Sequence, residues 1–289
     1  MGNKLIQPVM ASTIAGWCGV NWLGTDMQVH SIAPLSAPTD GALCFANSAP
    51  LQTSASQVAL ISTAEAQNVA SCLLATDRPR LTFAKALDAI QRNIGFQRPT
   101  VPPQIDPTAQ VSPQAFVAPG VVIGARTIVL PFSYIGEGTI IGEDCIIKSG
   151  AVIGQDGFGF ERDENNIPLR IVHLGNVIIG NNVEVGCVTT VCRGTLGNTI
   201  IEDSVKIDDH VHIAHNVVVG VGAMVIACAE VSGGVKIGAG AWVGPNSSII
   251  QKVTIGENSL VGIAANVTKN VPDGVVVAGN PAKTLRSNN

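Results

Sequence analysis

The stretch that decides the fold is residues 201–225, IEDSVK-IDDHVH-IAHNVV-VGVGAM-V, in which Ile or Val returns at every sixth position. Extended from 105 to 267, this six-residue grid has Ile or Val at 24 of its 28 positions, the exceptions being Gly159, Asn165, Thr189 and Thr195. An amphipathic helix repeats every ~3.6 residues and a strand every ~2, so neither explains the pattern. A period of six is typical of a parallel β-helix of hexapeptide repeats.

Three hexads make a coil of about 18 residues, so residues one such coil apart in sequence are expected one above the other. Three of the five histidines lie between His210 and His215. His215 comes two positions after an inward grid residue, which predicts a corner position with an outward side chain. One coil higher, the spacing places Gly233 above His215 and Glu230 above His212.

This pairing of a histidine with a glycine is typical of acyl transfer. A neutral imidazole at His215 would accept the proton of an attacking amine or hydroxyl. The backbone N–H of Gly233, unobstructed by a side chain, would bind the developing oxyanion. The carboxylate of Glu230 or Asp208 would support the histidines, and His212 would orient the substrate.

Composition and charge exclude several classes of function. The net charge is −4 and no basic run occurs, so no nucleic-acid partner is expected. Neither a long apolar stretch nor a signal peptide is evident, which predicts no membrane span. The seven cysteines are scattered without a C-x-x-C motif. They favour a reducing, cytoplasmic location.

The grid also predicts the domain organisation of a mainly β protein. Residues 1–98 do not follow it and mix helix-like stretches (64–74 and 82–93) with a strand-like one (58–61), which predicts a small α/β domain. Pro99, Pro102 and Pro103 mark a boundary. A β-helix is expected over 104–270, interrupted by a loop between Gly154 and Gly175, and a short tail over 271–289.

Two metal-binding interpretations compete with acyl transfer. Cys192, His210 and Cys228 follow one another at intervals of one regular coil and would form one vertical column. Stacked side chains supply a line rather than a tetrahedron, so this column is a poor zinc site. His173, His210 and His215 have a spacing that resembles the zinc histidines of gamma-class carbonic anhydrases. A metal-dependent hydratase of that kind therefore stays an alternative, although no metal is our main expectation.

Several motifs together resemble the UDP-3-O-acylglucosamine N-acyltransferases of the lipid A pathway. The matching segments, in the order and spacing of that family, are Gly154-Gln-Asp156-Gly157-Phe158-Gly159-Phe160, Arg193-Gly194-Thr195-Leu196-Gly197-Asn198-Thr199, Lys206-Ile-Asp208 and Ile213-Ala-His215-Asn216. The N-terminal stretch is similar to that family's nucleotide-binding domain through Gly24, residues 30–35 (HSIAPL) and residues 41–47 (GALCFAN).

The resemblance implies a left-handed β-helix, a homotrimer with active sites between subunits, a histidine base at His215 and an oxyanion donor at Gly233. It also implies that Phe45 stacks on the nucleotide base. The remaining substrate-binding residues that we predict are Asn47, Asp156, Phe158, Phe160 and Asn216; of these, Phe158 and Phe160 would line the sugar or acyl path.

The departures from that family concern the nucleotide base and the acyl donor. A tyrosine that stacks on the base in the family is replaced by Leu51, and an acidic residue is replaced by Cys192. The C-terminal segment 271–283 (VPDGVVVAGNPAK) resembles the ending of CoA-dependent sugar acetyltransferases, instead of the helical extension that meets acyl carrier protein. Lys269, Lys283 and Arg286 would then contact CoA phosphates.

The leading hypothesis is therefore an N-acyltransferase that moves an acyl group from acyl-CoA to the amine of a nucleotide-linked amino sugar. It would serve the assembly of surface polysaccharide, such as lipopolysaccharide or O-antigen, with no bound cofactor. The first alternative is the lipid A reaction itself with an acyl carrier protein thioester. The metal hydratase and a non-enzymatic binding trimer are the remaining alternatives.

Overall fold

The computed structural model of the protein describes residues 3–48 and 57–288. The chain divides into two compact units. The α/β unit comprises Met1–Arg98 and Gly159–Leu174, and the β-helix unit comprises Pro99–Phe158 and Gly175–Asn289. No helix among the described residues combines the length and apolarity needed to cross a bilayer.

A six-stranded sheet with two α-helices forms the α/β unit. Its elements are β1 (Lys4–Met10), α1 (Ala11–Cys18), β2 (Asn21–Gly24), β3 (Gln28–Ile32), β4 (Ala42–Phe45), β5 (Val58–Ser62), a 3-10 helix (Ala64–Ala66), β6 (Cys72–Ala75) and α2 (Pro79–Asn93). The strand order is β1-β3-β4-β5-β6-β2, with β3 to β6 parallel and the edge strands antiparallel. All of β5 is buried, as expected of an interior parallel strand.

The sequence prediction for this unit is correct at β5 and α2 and wrong between them. The helix expected over 64–74 is reduced to a single 3-10 turn at Ala64–Ala66, and β6 follows. The apolar residues of β6 pair with both β5 and β2, so sheet formation outweighs local helix propensity here. α2 starts at Pro79, where proline fits the first helical turn.

Three parallel faces form the β-helix, and each coil contributes one short strand to each face. The first face contains Gln104–Ile105, Val122–Ile123, Ile140–Ile141, Val177–Ile179, Thr199–Ile201, Val218–Val219, Lys236–Ile237 and Thr254–Ile255. The second face contains Gln110–Val111, Ile128–Val129, Ile146–Ile147, Glu184–Val185, Lys206–Ile207, Met224–Val225, Trp242–Val243, Leu260–Val261, Val275–Ala278 and Lys283–Ser287. The third face contains Phe116–Val117, Tyr134–Ile135, Val152–Ile153, Thr190–Val191, His212–Ile213, Glu230–Val231, Ser248–Ile249 and Asn266–Val267.

The period of six arises because one residue of each two-residue strand points into the core. Ile207 pairs with Val225, which pairs with Val243, so identical positions of successive coils lie in register. From Ile123 to Val267 these inward side chains are almost completely buried and form one continuous apolar column, whereas those of the first coil are partly buried or exposed. β-Branched residues suit this stacking because their rotamers are already restricted in strands.

Two insertions shift the register that the regular grid predicts. Ile141 pairs with Ile179, whereas a regular coil would bring Gly159 to that position, so this coil contains a long insertion. Ile179 in turn pairs with Ile201, whereas a regular coil would bring Gly197 there, so the next coil contains a short insertion. Between the two insertions the residues in the inward column are Val185 and Val191, and the grid positions Val183 and Thr189 are displaced from it.

The first insertion is the predicted loop, and its middle part belongs to the α/β unit. It forms a hairpin of Phe160–Arg162 and Pro168–Arg170. Two ion pairs of 2.7 Å connect the hairpin segment with α2: Arg80 Nε with Glu161 Oε2, and Lys85 Nζ with Glu164 Oε1. The hairpin is therefore a structured part of the α/β unit rather than a bare surface loop.

The C-terminal tail continues the second face. Val275–Ala278 pairs in parallel with Leu260–Val261, and Lys283–Ser287 adds an antiparallel strand at the edge. All five residues of this last strand are exposed. The tail thus ends the stack with a hairpin whose first strand buries Val276 and Val277 and whose last strand presents its side chains outward.

We expect Ile207→Ala to lower the free energy of unfolding by about 2–5 kcal/mol, because a buried methyl cluster between two rungs is lost. The midpoint of denaturant unfolding at fixed protein concentration measures this change. Met224→Ala, on the exposed side of the same face, is the control and should shift stability by only about 0.5 kcal/mol. Equal losses in both variants would contradict the assigned register.

Candidate active site

Of the predicted site residues, His215, Gly233 and Lys269 lie at the third-face corner, which we define as the position two residues beyond each inward third-face residue. In-register pairing of the third-face strands places these positions in one column. The column reads, in chain order, Pro119, Glu137, Gln155, Arg193, His215, Gly233, Gln251 and Lys269. Backbone hydrogen bonds of 2.9 Å from Arg193 N to Gln155 O and from Gly234 N to His215 O connect successive rungs of the corner.

His215 packs directly beneath Gly233, as the sequence spacing predicts. A Cβ atom at residue 233 would lie only 2.7 Å from Cε1 and 2.8 Å from Nε2 of His215. Such distances are too short for any real side chain, so only glycine leaves room for the imidazole. Both residues are half-buried. The predicted stacking is therefore present, while the catalytic roles stay predictions.

The backbone amide of Gly233 differs from the amides at several equivalent positions of other corners. There a carboxylate of a neighbouring rung accepts the N–H: Asp209 from Cys187 (2.7 Å), Asp208 from Ala227 (3.2 Å) and Asp273 from Glu257 (2.8 Å). In the part of the chain that the structure describes, Gly233 N donates no such hydrogen bond. An unused amide beside an imidazole is a donor available to a ligand oxygen.

Asn216 is in contact with His215. Its side-chain oxygen Oδ1 lies 3.1 Å from His215 Nδ1 and accepts hydrogen bonds from Thr195 N (3.0 Å) and Thr195 Oγ1 (2.8 Å). Its backbone N–H donates to Thr199 Oγ1 at 2.9 Å. Asn216 was predicted to bind substrate, but its amide oxygen is already engaged by these protein groups.

His212 and Glu230 lie on the outer side of the third face, one rung apart and in register, as predicted. Nδ1 of His212 lies 2.7 Å from Thr190 Oγ1 on the rung below. Both carboxylate oxygens of Glu230 accept from Ser232 Oγ at 3.1 Å. These two residues form a half-buried polar line beside His215.

Asp208 does not take the predicted supporting position. It lies at the corner between the second and third faces, where its oxygens accept from the backbone amides of Asp209 (2.8 Å) and Ala227 (3.2 Å). No hydrogen bond joins it to a histidine among the described residues. A carboxylate that accepts hydrogen bonds from two corner amides stabilises the turn. Of the two predicted carboxylates, only Glu230 lies in register with a histidine.

Arg193 is a site residue that spacing arithmetic missed. It lies one rung beneath His215 and is buried, and its guanidinium contacts Glu137 Oε1 (3.1 Å) and the Glu137 carbonyl oxygen (2.6 Å). Its Nε has no hydrogen-bond partner among the described residues. The short insertion lies between Arg193 and His215 in the sequence, so their separation exceeds one regular coil and conceals their stacking.

The same insertion removes the predicted cysteine–histidine column. Cys192 aligns with Ala214, and His210 instead lies beneath Cys228 at a different corner. Burial raises the pKa of the Cys192 thiol to about 11, and the Asp156 carboxylate adds to the rise. A thiol held in its neutral form is a poor metal ligand.

The three histidines of the carbonic anhydrase-like spacing have different surroundings. His173 is fully buried in the α/β unit, with Nδ1 3.0 Å from the carbonyl oxygen of Ile171. His210 and His215 occupy different corners of the β-helix. Among the described residues, no group of three or more His, Cys, Asp and Glu side chains could hold a metal ion.

The predicted nucleotide-binding residues lie in the α/β unit. Phe45 is half-buried and stacks on Phe83 with ring centroids 4.4 Å apart, so one of its faces is already covered. Asn47 is exposed. Leu51, at the position of the family tyrosine, lies outside the described residues.

The predicted acyl-path and CoA residues are mostly exposed. Asp156 and Phe158 are exposed in the β-helix unit, whereas Phe160 belongs to the hairpin of the α/β unit, where Arg170 Cζ lies 4.6 Å from its ring centroid. The basic residues are all exposed: Lys269 at the third-face corner, and Lys283 and Arg286 on the last strand.

Comparison with known proteins finds a matching repeat family and a solved structure with the same fold. The family described as bacterial transferase hexapeptide (six repeats) matches residues 120–155 and 234–262. The crystal structure of a UDP-N-acetylglucosamine acyltransferase from Bacteroides fragilis superposes with a TM-score of 0.51 and 22% identity, over 64% of this chain and 75% of that one. This likeness supports the left-handed form of the parallel β-helix.

Relatives in sequence are named more specifically. UDP-3-O-acylglucosamine N-acyltransferase 2 of Legionella pneumophila (strain Philadelphia 1) is 51% identical over 132 residues, 46% of this chain but only 38% of its own length. UDP-3-O-acylglucosamine N-acyltransferase of Coxiella burnetii (strain Dugway 5J108-111) is 35% identical over 238 residues, 72% of this chain and 69% of its own length. With a β-helix, a histidine–glycine corner and this extent of similarity, the chain belongs to the UDP-3-O-acylglucosamine N-acyltransferase family.

Proposed function

We propose that the protein transfers an acyl group from a thioester to the amine of UDP-3-O-acylglucosamine. The observation that carries the proposal is the imidazole of His215 packed beneath the unused backbone amide of Gly233. The amine nitrogen attacks the thioester carbonyl, so a C–N bond forms and the C–S bond breaks. His215 takes the proton from the amine and returns it to the departing sulfur.

The geometry matches the two demands of this reaction. A histidine accepts and donates protons near neutral pH, which suits both halves of the transfer. The tetrahedral intermediate carries an oxyanion, and a preorganised amide that needs no reorganisation stabilises it most effectively. Both groups occupy adjacent rungs of a rigid stack, so their separation is set by the strand spacing of about 4.8 Å.

The polar line beside His215 would contact the sugar. His212 and Glu230 present a ring nitrogen and a carboxylate on the same outer face, and Thr190 fixes the ring of His212. Phe45 and Asn47 of the α/β unit are our proposed contacts for the nucleotide. The names of the sequence relatives support the uridine nucleotide and the 3-O-acylated glucosamine.

An apolar stripe supports the predicted homotrimer. The outward residues of five successive first-face strands are all aliphatic: Val122, Ile140, Ile178, Ile200 and Val218. A continuous apolar stripe on a soluble protein is typical of a subunit interface. The first-face strands directly follow the third-face corner, so a neighbouring subunit on this stripe would cover His215. The cytoplasmic location stays a prediction.

The acyl donor distinguishes two candidate functions. The sequence relatives favour the lipid A reaction over our initial acyl-CoA hypothesis. The second candidate, CoA-dependent acylation of another nucleotide-linked amino sugar, is favoured by Lys283 and Arg286, whose side chains are exposed on the last strand. Both donors contain phosphopantetheine, but only CoA adds the nucleotide phosphates that these cations would contact.

His215→Ala is expected to lower kcat by about 10²–10⁴-fold, because the general base is lost. Thiol release with UDP-3-O-acylglucosamine and an acyl carrier protein thioester measures the rate. His210→Ala, an exposed histidine at another corner, is the matched control and should retain the wild-type rate. Equal rates for His215→Ala and wild type would reject the assigned base.

Gly233→Ala keeps the backbone amide but places a methyl group 2.7 Å from the His215 ring, so the ring must move. We expect kcat to fall about 10²-fold, the usual cost of displacing a catalytic group by roughly 1 Å. Steady-state kinetics with a thermal melting curve separate this effect from unfolding. A wild-type kcat would show that the corner is not the reaction centre.

A matched pair of donors with the same acyl chain, one on acyl carrier protein and one on CoA, tests the two candidate functions. We expect UDP-3-O-acylglucosamine to be acylated from the carrier protein with the higher kcat/KM. Lys283→Ala/Arg286→Ala should then leave this rate unchanged. Preference for acyl-CoA, with a raised KM in the double variant, would support the second candidate instead.

A further inference from the structure

We infer that Asn216, oriented by Thr195, is a positioning residue that keeps the proton of the neutral His215 imidazole on Nδ1 and so makes Nε2 the proton acceptor. The inference rests on the proposed function for its catalytic consequence. The tautomer of His215 can be measured without substrate, so this part of the inference does not depend on the reaction. It replaces the substrate-binding role that the sequence predicted for Asn216.

Contacts with Thr195 determine the orientation of the Asn216 side-chain amide. Thr195 N is a backbone amide and therefore only donates, and it lies 3.0 Å from the Asn216 side chain. The group facing it must be the carbonyl oxygen, and the second donor, Thr195 Oγ1 at 2.8 Å, faces the same atom. A flipped amide would place its NH₂ against a backbone N–H, which is repulsive.

The orientation of the Asn216 side chain determines the tautomer of His215. Asn216 Oδ1 has no hydrogen and accepts only, and it lies 3.1 Å from His215 Nδ1. A hydrogen bond between these atoms requires the proton to be on Nδ1. In the neutral ring Nε2 then carries the lone pair, and Nε2 is among the ring atoms closest to Gly233. The proton acceptor Nε2 thereby lies beside Gly233, the residue that carries the proposed oxyanion donor.

The segment that contains Thr195 supports Asn216 from the coil below. Thr195 belongs to the coil with the short insertion, which lies immediately below His215. The segment is held at one end by the partly buried ion pair of Arg193 with Glu137 and at the other by Thr199, whose hydroxyl accepts from Asn216 N. Gly194 leaves room for the amide, since a Cβ there would lie 2.8 Å from Asn216 Nδ2. The insertion thus brings the two donors of Thr195 to the side chain that contacts the histidine.

The charged and titratable residues on the rungs next to His215, including Cys192 on the rung beneath, are unchanged in the residue-216 and residue-246 variants below. Arg193, paired with Glu137, lies on the rung beneath, and Lys252 follows Gly233 on the rung above. His212 and Glu230 lie on the adjacent third-face strands. Changes in the pH dependence of catalysis can therefore be assigned to residue 216.

Asn216→Gly and Asn216→Asp form the test. Asn216 has a left-handed backbone with φ of 61°, which glycine adopts without strain, so the first variant removes only the side chain. The second keeps an acceptor at Oδ1. Asn246→Gly and Asn246→Asp are matched controls, because Asn246 is exposed at another corner with φ of 56°.

The direct readout is ¹⁵N NMR of protein labelled at the histidine ring nitrogens, measured on the sedimented full-length protein by magic-angle spinning. The His215 signals are identified by their loss in His215→Ala. We expect a protonated Nδ1 and an unprotonated Nε2 in wild type and in the control variants. In Asn216→Gly the proton should shift toward Nε2, the preferred site of free imidazole side chains in water.

The kinetic readout separates positioning from substrate binding. Asn216→Gly should lower kcat roughly tenfold, as expected for one lost hydrogen bond, with little change in KM. Asn216→Asp should recover most of kcat, and its added negative charge should move the acid limb of the kcat/KM profile to higher pH. A raised KM with unchanged kcat in both variants would instead support the substrate-binding role.

The two proposals fail differently. A proton on Nε2 of wild-type His215, or an unchanged NMR signature in Asn216→Gly, overturns the positioning role and leaves the acyl-transfer proposal intact. Full activity of His215→Ala rejects His215 as the base, and a wild-type protein that transfers no acyl group from either thioester overturns the acyl-transfer proposal. In both cases the tautomer measurement still decides the role of Asn216.

Discussion

The in-register stacking of successive coils is the constraint that positions every other part of the β-helix. Each inward Ile or Val lies over its equivalent in the coil below, as Ile207, Val225 and Val243 do. Parallel hydrogen bonds hold neighbouring rungs about 4.8 Å apart. A corner residue therefore has a set height, and two groups at one corner are kept close by the backbone itself.

Carboxylates of neighbouring rungs bind several corner amides of the stack, whereas no carboxylate among the described residues binds the amide of Gly233. At the second-face corner Asp208 and Asp209 accept the exposed N–H groups, which stabilises the turn. Gly233 lacks such an acceptor among the described residues, and the imidazole of His215 lies beneath it. A ligand oxygen that binds there would accept a hydrogen bond that no described protein group accepts. The same fold element is thus a structural turn at one corner and a proposed oxyanion site at another.

Insertions in the repeat provide the specific features of this family member. The longer one carries the hairpin that belongs to the α/β unit. The shorter one adds Thr195 beneath Asn216 and leaves Arg193 directly below His215. Because a coil can bulge at a corner without disturbing the inward column, additional residues are accommodated where their side chains can reach the site.

Spacing along the chain was sufficient to predict the β-helix and the stacking of His215 with Gly233 and of His212 with Glu230, since the coils between residues 201 and 267 are uninterrupted. It failed wherever the coil length changed. Cys192 does not lie beneath His210, because the short insertion lies between them. Asp208 lies in the uninterrupted region, and it supports a turn rather than a histidine because corner amides bind its carboxylate. The helix expected over 64–74 failed for another reason, because pairing with β5 and β2 makes β6 a strand.

Periodicity alone specifies the inward column and the vertical neighbours that are one regular coil apart, because each of these follows from a repeat of six. The partners of Arg193, Thr195 and Asn216 required the folded chain, since their relation to His215 depends on an insertion that changes the register. The folded chain was also needed to show which corner amides are satisfied, because that depends on where the side chains of adjacent rungs point.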